Sequence, residues 1–322
     1  MNRGLLGYAI ITLKGMAMGA ADVVPGVSGG TIAFIAGIYE ELIKTIDQLD
    51  LKLFSFWKKH GFRETVAKYN LKFLGALFLG ILVSILSLAQ LITFLLEEHP
   101  ILVWSFFFGL VVASVIYIGK QIERWSLGVL LMIGIGILVS YYITIAEPVS
   151  SPDSWWYILG SGFIAIIAMI LPGVSGSFIL LLLGSYLVII GALTQLTDGL
   201  LELNMDKLKD SLIKILLFAL GAVLGLKVFS RILNWMFTHK KNLTLAVLTG
   251  FMVGSLNKIW PWKEVLTTRI NSEGLEVPLL ERSILPSDYK GDPQLIYAIV
   301  MAILGVGILL LLERLAKQKD VY

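Results

Sequence analysis

Two stretches of this 322-residue chain carry the same five residues inside apolar sequence: AADVVPGVSGGTIAF at residues 20–34 and MILPGVSGSFILL at residues 169–181. Proline removes a backbone donor and breaks a helix, and glycine admits backbone angles that other residues avoid. Each break ends one helix and opens another, exposing amides at the positive end of a helix dipole, an arrangement that suits an anion and phosphate above all. The hydroxyls of Ser28, Thr31, Ser175 and Ser177 add donors, and Gly26, Gly29, Gly30, Gly173 and Gly176 would let a phosphate approach the backbone. A cation held by carbonyls of an unwound segment would suit the same motif. For a single copy, glycine-mediated helix packing would be explanation enough.

The charged residues around the breaks differ between the copies. Lys14, Asp22 and Glu40 belong to the first, where the second has Ser161, Met169 and Leu187. Lys227 and Arg231, four residues apart, share one helical face with Ser230 and Asn234. Counted from an expected helix end at residue 237, Arg231 lies ~9 Å and Lys227 ~15 Å along the axis at ~1.5 Å per residue, which sets Lys227 near mid-bilayer. Arg231 alone could snorkel to the surface. Two neighbouring cations within a membrane require an anion, so both are assigned, with Lys14, to substrate binding. Asp22 reads as a helix cap or an ion-pair partner for Lys14 or Lys227, and also as a carboxylate able to carry a proton. Glu40, beside Glu41 and Lys44, marks an interfacial helix end, with the same proton-coupling role as its alternative.

The elements that position these residues follow from composition and pattern. Hydrophobic residues make up 57% of the chain and charged residues 15%, and the mean hydropathy is +0.84. The class is therefore all-α and polytopic in a membrane. The net charge of +3 requires no nucleic-acid partner. The chain has no cysteine, which excludes disulfides, thiol catalysis and cysteine-metal sites. His60, His99 and His239 are far apart and read as loop or interface residues, so no metal and no cofactor is expected. No phosphate-loop, zinc-protease or dinucleotide fingerprint is present. The N-terminal MNRGLLGYAIITLKGMAMGAAD resembles a signal peptide, but Lys14 shortens its apolar run and the segment has a counterpart in the second half, so it is expected to be retained.

With Pro25 set on Pro172, Gly37 falls on Gly184 and Tyr39 on Tyr186, LGALFLG at 74–80 resembles LGAVLG at 220–225, and FGLVVAS at 108–114 resembles TGFMVGS at 249–255. Landmarks in the same order mark a duplication, with residues 1–150 as one repeat and 151–322 as the other, forming a single membrane domain. Each repeat opens with two short apolar segments around its proline, 4–21 and 27–43, then 155–171 and 174–193. They are short for a hydrocarbon core needing ~20 residues and fit a re-entrant hairpin. Three longer helices follow in each: 71–96, 101–119 and 127–145, then 212–237, 243–258 and 294–312. The lysines and arginines of residues 44–72, of 120–124, of 240–241 and of 314–319 all fall on one side, the cytoplasmic one, with both chain ends. Three crossings per repeat invert the second against the first. Inverted repeats with broken helices are the architecture of transporters, whose sites lie at the midplane between the repeats, where the two tips would approach each other.

KGMAMGAADVVPGVSGGTIAFIAGIYEELI, with the second PGVSGS and the FSRIL of 229–233, strongly resembles the signature of the bacterial polyprenyl-phosphate translocases. That resemblance spans nearly the whole chain. It implies a non-enzymatic transporter in the bacterial cytoplasmic membrane that flips undecaprenyl phosphate back across it for reuse in envelope synthesis, with the long tail in contact with membrane lipids and protons as the candidate coupling ion. Undecaprenyl-pyrophosphate phosphatases are the alternative, since they share inverted repeats and a similar Pro-Gly-x-Ser motif. There the motif continues with an arginine and a serine nucleophile, whereas Ser28 is followed by Gly29 and Gly30 and no i, i+4 pair of glutamates precedes Pro25. Transport of another small anion is a third reading.

Overall fold

The computed structural model describes residues 3–24, 27–149, 151–152, 154–202, 204–270 and 276–317; Pro25 and Gly26 lie outside them. Helix α1 (Leu5–Val23) runs into the first break, and α2 (Gly29–Ile35) and α3 (Tyr39–Gln48) lead away from it. The basic segment forms α4 (Lys52–Lys68), kinked at Gly61 where φ is 80°. Helices α5 (Leu71–Glu98), α6 (Pro100–Gly119) and α7 (Leu127–Ile145) follow. The pattern then recurs with α8 (Trp155–Ile170), α9 (Gly176–Leu182), α10 (Ser185–Leu201), α11 (Met205–His239) and α12 (Lys241–Ser255). An antiparallel hairpin of β1 (Lys263–Ile270) and β2 (Glu276–Ser283) precedes α13 (Leu295–Lys317).

Four helices, α5, α6, α7 and α11, contain windows of mean hydropathy 2.2 to 2.4 long enough to cross a membrane, and the bent pair of α9 and α10 makes up to five. Only 11% of that window in α11 and 22% in α7 is buried within the protein, leaving outward apolar surface that suits lipid rather than water. The protein is a multi-pass, essentially all-helical membrane protein. Of the six long spans expected, α12 is 15 residues long, and α12 and α13 pack against α7 and α6.

Each outgoing segment expected as one piece is cut in two. Gly37 and Gly184 take φ values of 68° and 65°, the left-handed region where glycine alone avoids a Cβ clash. Past α2, the amides of Gly37 and Ile38 donate back to the carbonyls of Phe34 and Ala33, each at 3.0 Å, closing a Schellman turn. The amide of Gly184 donates to Leu181 at 2.9 Å, and α9 and α10 then diverge by 104°. The chain turns back at these points instead of carrying on across.

The helix pairs meet at glycines, in matching fashion in the two halves. Gly15 abuts the carbonyl of Leu77 and Gly80 that of Thr12, joining α1 to α5; Gly162 abuts Phe218 and Gly221 abuts Leu159, joining α8 to α11. A Cβ at any of these four would stand 1.9 to 2.2 Å from the facing oxygen, so the backbones touch there. The remaining pairs cross between halves: Gly109 lies on Ala302 and Gly305 on Phe106, while Gly250 lies on Ile133 and Gly136 on Val247. Gly109 and Gly250, set on one another in the sequence, each lie against a backbone carbonyl of the helix they face. Phe73, Leu77, Leu245, Leu248 and Met252 are fully buried between these pairs.

Candidate functional site

The two breaks touch. The hydroxyl of Ser28 lies 3.2 Å from the carbonyls of Met169 and Leu171 and donates to them. Those carbonyls belong to the last turn of α8, where no intrahelical partner exists, so Ser28 acts as their cap across the interface. The hydroxyl of Tyr39 donates to the neighbouring carbonyl of Ile170 at 3.2 Å. In the reverse direction the amide of Gly173 donates to Thr31 Oγ1 at 2.9 Å. Gly30 seats against α8 so closely that a Cβ there would come within 2.4 Å of the Ile170 oxygen. Ser28 and Thr31 are each 1% exposed.

At the first break the opening amides of α2 have protein partners in this conformation. Gly29 donates to the carboxylate of Asp22 at 2.6 Å, and Gly30 to Ser28 Oγ at 3.1 Å. Ser175 accepts from Phe178 at 3.5 Å and shares a 3.0 Å hydrogen bond with Ser177. A Cβ on Gly176 would stand 2.8 Å from the Ala165 carbonyl, so the open space of that glycine is filled by α8. Among the described residues, the hydroxyls of Ser28, Thr31, Ser175 and Ser177 at the breaks bind protein groups.

The charged residues settle elsewhere. Lys14 donates to the carbonyl of Ala36 at the end of α2, where a cation complements the exposed carbonyls. Lys227 and Arg231 meet neither break. Lys227 donates to the backbone carbonyl of Asp47, and the Asp47 carboxylate lies 4.0 Å from its ammonium and 3.7 Å from Arg231 Nε. Asn234, on the same stripe, donates to the other Asp47 oxygen at 2.7 Å. The guanidinium side chain of Arg231 is 74% exposed. Glu40 stands 3.8 Å from Lys241, and both are exposed. Asp47 and Tyr39 are the residues that reading the sequence left without a role. Asp47 sits in a stretch read as a basic loop, and its partners lie 180 residues away, so no local pattern announces it.

A second polar group flanks the other break on the side of the β-hairpin. Ser140, Thr144, Gly173, Ser175 and Lys258 line a cavity of about 10 Å³, room for one water. The buried hydroxyl of Ser140 has no hydrogen-bond partner among the described residues. Lys258 lies 3.2 Å and Lys263 3.6 Å from the Glu281 carboxylate on β2. Burial pushes the Lys263 ammonium down to about 8 although Glu281 opposes the shift. Burial would raise Glu281, but Lys263 and Lys258 hold it below the usual carboxylate range.

Residues 18–277, which contain both breaks and the cluster of Asp47, Lys227 and Arg231, match the family model described as undecaprenyl phosphate translocase-like. The chain belongs to that family. It is 44% identical over 317 residues, 97% of this chain and 98% of the other, to a Vibrio cholerae protein named polyprenyl-phosphate transporter. It is 33% identical over 261 residues, 77% of this chain and 85% of the other, to a Staphylococcus aureus protein of the same name. No solved structure matches.

Proposed function

We propose that the protein moves polyprenyl phosphate, undecaprenyl phosphate above all, across the bacterial cytoplasmic membrane and returns it to the inner leaflet without chemical change. The observation that carries this reading is the direct contact of the two Pro-Gly-Val-Ser-Gly breaks through Ser28, Thr31 and Gly173. As the breaks part, the donors of the contact, the Ser28 hydroxyl and the Gly173 amide, can exchange their protein acceptors for phosphate oxygens, while the freed carbonyls of Met169 and Leu171 take up water. Apolar faces left outward on α7 and α11 let the polyprenyl tail stay in lipid while only the phosphate passes. The matched glycine contacts of the two halves support repeats of opposite orientation, with both chain ends and α4 at the cytoplasmic surface. Asp22, 2.6 Å from the first amide of α2, is the group placed to exchange a proton when that amide is needed by the substrate. The Ser28 hydroxyl is engaged with the carbonyls of Met169 and Leu171 and accepts from the Gly30 amide, which favours carriage over phosphoryl transfer.

Proteoliposomes test the reading. Purified protein should accelerate transbilayer exchange of undecaprenyl phosphate and release no phosphate from undecaprenyl pyrophosphate. Phosphate release that disappears in Ser28→Ala would establish the phosphatase reading instead.

A further inference from the structure

A chamber of about 740 Å³ opens between the start of α1, helix α3 and the bent α4, away from both breaks. Its volume falls in the ~300–1,000 Å³ range of small-molecule sites. Five cations line it, Arg3, Lys44, Arg63, Lys68 and Lys72, against one carboxylate, Glu41. That carboxylate is already engaged: Arg3 grips it through two bonds of 2.6 Å, and Asn70 donates to it at 2.9 Å. Lys68 lies 3.7 Å over the ring of Phe56. Lys44, Arg63 and Lys72 have no ion pair among the described residues. Such an excess of positive charge around one cavity favours an anion there.

The rim identifies which anion. Leu5 and Leu6, which lie in the chain between the lining residues Arg3 and Tyr8, are 90% and 73% exposed, and Phe62 on α4 is 68% exposed. Phe62 itself lines the chamber, brought there with Arg63 by the bend at Gly61, whose φ of 80° a residue with a side chain would resist. A free inorganic anion would gain nothing from this apolar edge. A phosphate monoester carries about −1.5 to −2 charge at neutral pH, more than the single charge of a phospholipid phosphodiester, and so matches several cations better.

We infer that this chamber is a binding site for the phosphate monoester head of a prenyl-type lipid, the surface station at which the substrate enters or leaves the protein, its tail lying over Leu5, Leu6 and Phe62. The inference rests on the transport reading for its place in the route, but the binding itself can be measured without transport.

The test uses full-length protein in phosphatidylcholine nanodiscs, with farnesyl phosphate, phosphatidylglycerol and inorganic phosphate as separate probes and native mass spectrometry as readout. The double variant Arg63→Gln, Lys72→Gln changes two exposed side chains and should unfold at the wild-type temperature. It should bind farnesyl phosphate about 10–100-fold more weakly, the loss of one or two charge-assisted hydrogen bonds. Arg63→Lys with Lys72 intact should recover most of that affinity. Wild-type affinity for farnesyl phosphate in the double variant overturns the inference. So does a loss confined to phosphatidylglycerol, which would make the chamber a general anionic-lipid surface. Inorganic phosphate bound as tightly as farnesyl phosphate would remove the lipid from the assignment. Unimpaired chamber binding in a wild-type protein that exchanges no undecaprenyl phosphate would leave the site standing and the transport reading fallen; loss of the site with exchange intact would show the reverse.

Discussion

Gly173 donates its amide to Thr31 Oγ1 across 2.9 Å, so the backbone of one helix break is completed by a side chain of the other. Thr31 is 1% exposed, and replacing it with valine keeps its shape while leaving a buried amide without a partner. Such an amide costs about 1–3 kcal/mol. Thr31→Val should therefore lower the thermal unfolding temperature and slow undecaprenyl phosphate exchange in proteoliposomes, while Thr31→Ser, which retains the acceptor, should stay near wild type in both. Equal behaviour of the two variants would detach this contact from both stability and passage.

Orientation has its own measurement, made simple by the absence of cysteine. Ser55 on α4 and Asp206 at the start of α11 are exposed and belong to opposite ends of the proposed arrangement. In Ser55→Cys and Asp206→Cys, a membrane-impermeant thiol reagent should label position 206 in intact cells and position 55 only after the membrane is opened. Labelling of both from one side would refute opposed repeats.

The parts legible from sequence were those that rest on local chemistry or long apolar runs. Helices α5, α6, α7 and α11 follow from uninterrupted apolar stretches, and both breaks follow from Pro-Gly. Gly37 and Gly184 were matched as landmarks, but their left-handed backbone, which cuts each outgoing segment in two, depends on an angle no composition reports. The β-hairpin lies in a long polar loop, where KEVLTTRI and EVPLLERS are short and broken by register shifts that blur the two-residue period. Polar residues at the breaks were identifiable by type. That they bind one another follows from the approach of two segments more than 140 residues apart, which packing decides. The spacing of Lys227 and Arg231 sets them on one face, but Asp47, the group they meet, is set by the contact of α3 with α11.

The β-hairpin should respond to pH at both ends. Glu281 has a lowered folded-state pKa, so its contribution is present above the unfolded value of about 4.3 and is lost as pH falls through the folded one. Lys263 is pushed down to about 8, below its unfolded value. Its buried charge therefore costs stability below pH 8, and that cost disappears as pH rises toward the unfolded value of about 10.4. Thermal unfolding followed by tryptophan fluorescence, with Trp260 and Trp262 packed beside the hairpin, should show both limbs. Glu281→Gln should flatten the acidic limb and Lys263→Met the alkaline one. An alkaline limb that survives Lys263→Met would assign it to another group.

Asp47 offers the sharpest separation of architecture from function. Its carboxylate holds Lys227, Arg231 and Asn234 together, and a phosphate that used the same two cations would have to displace it. Asp47→Asn removes the competitor and leaves two like charges four residues apart on α11. The pairs are partly exposed, so the expected loss of stability is small, on the order of 1 kcal/mol. If Lys227 and Arg231 serve the substrate, the same change should tighten binding of farnesyl phosphate, by roughly tenfold for a gain of ~1.4 kcal/mol. Lys227→Met should weaken it, and Arg231→Lys should do so less, since a point charge keeps attraction but loses the bidentate fork. A purely structural cluster gives another pattern: Asp47→Asn lowers the unfolding temperature, the double variant Asp47→Asn, Lys227→Met restores it, and lipid-phosphate affinity stays flat throughout. Measuring unfolding and farnesyl phosphate binding on this one set of variants decides whether the cations belong to the route or only to the contact of α3 with α11.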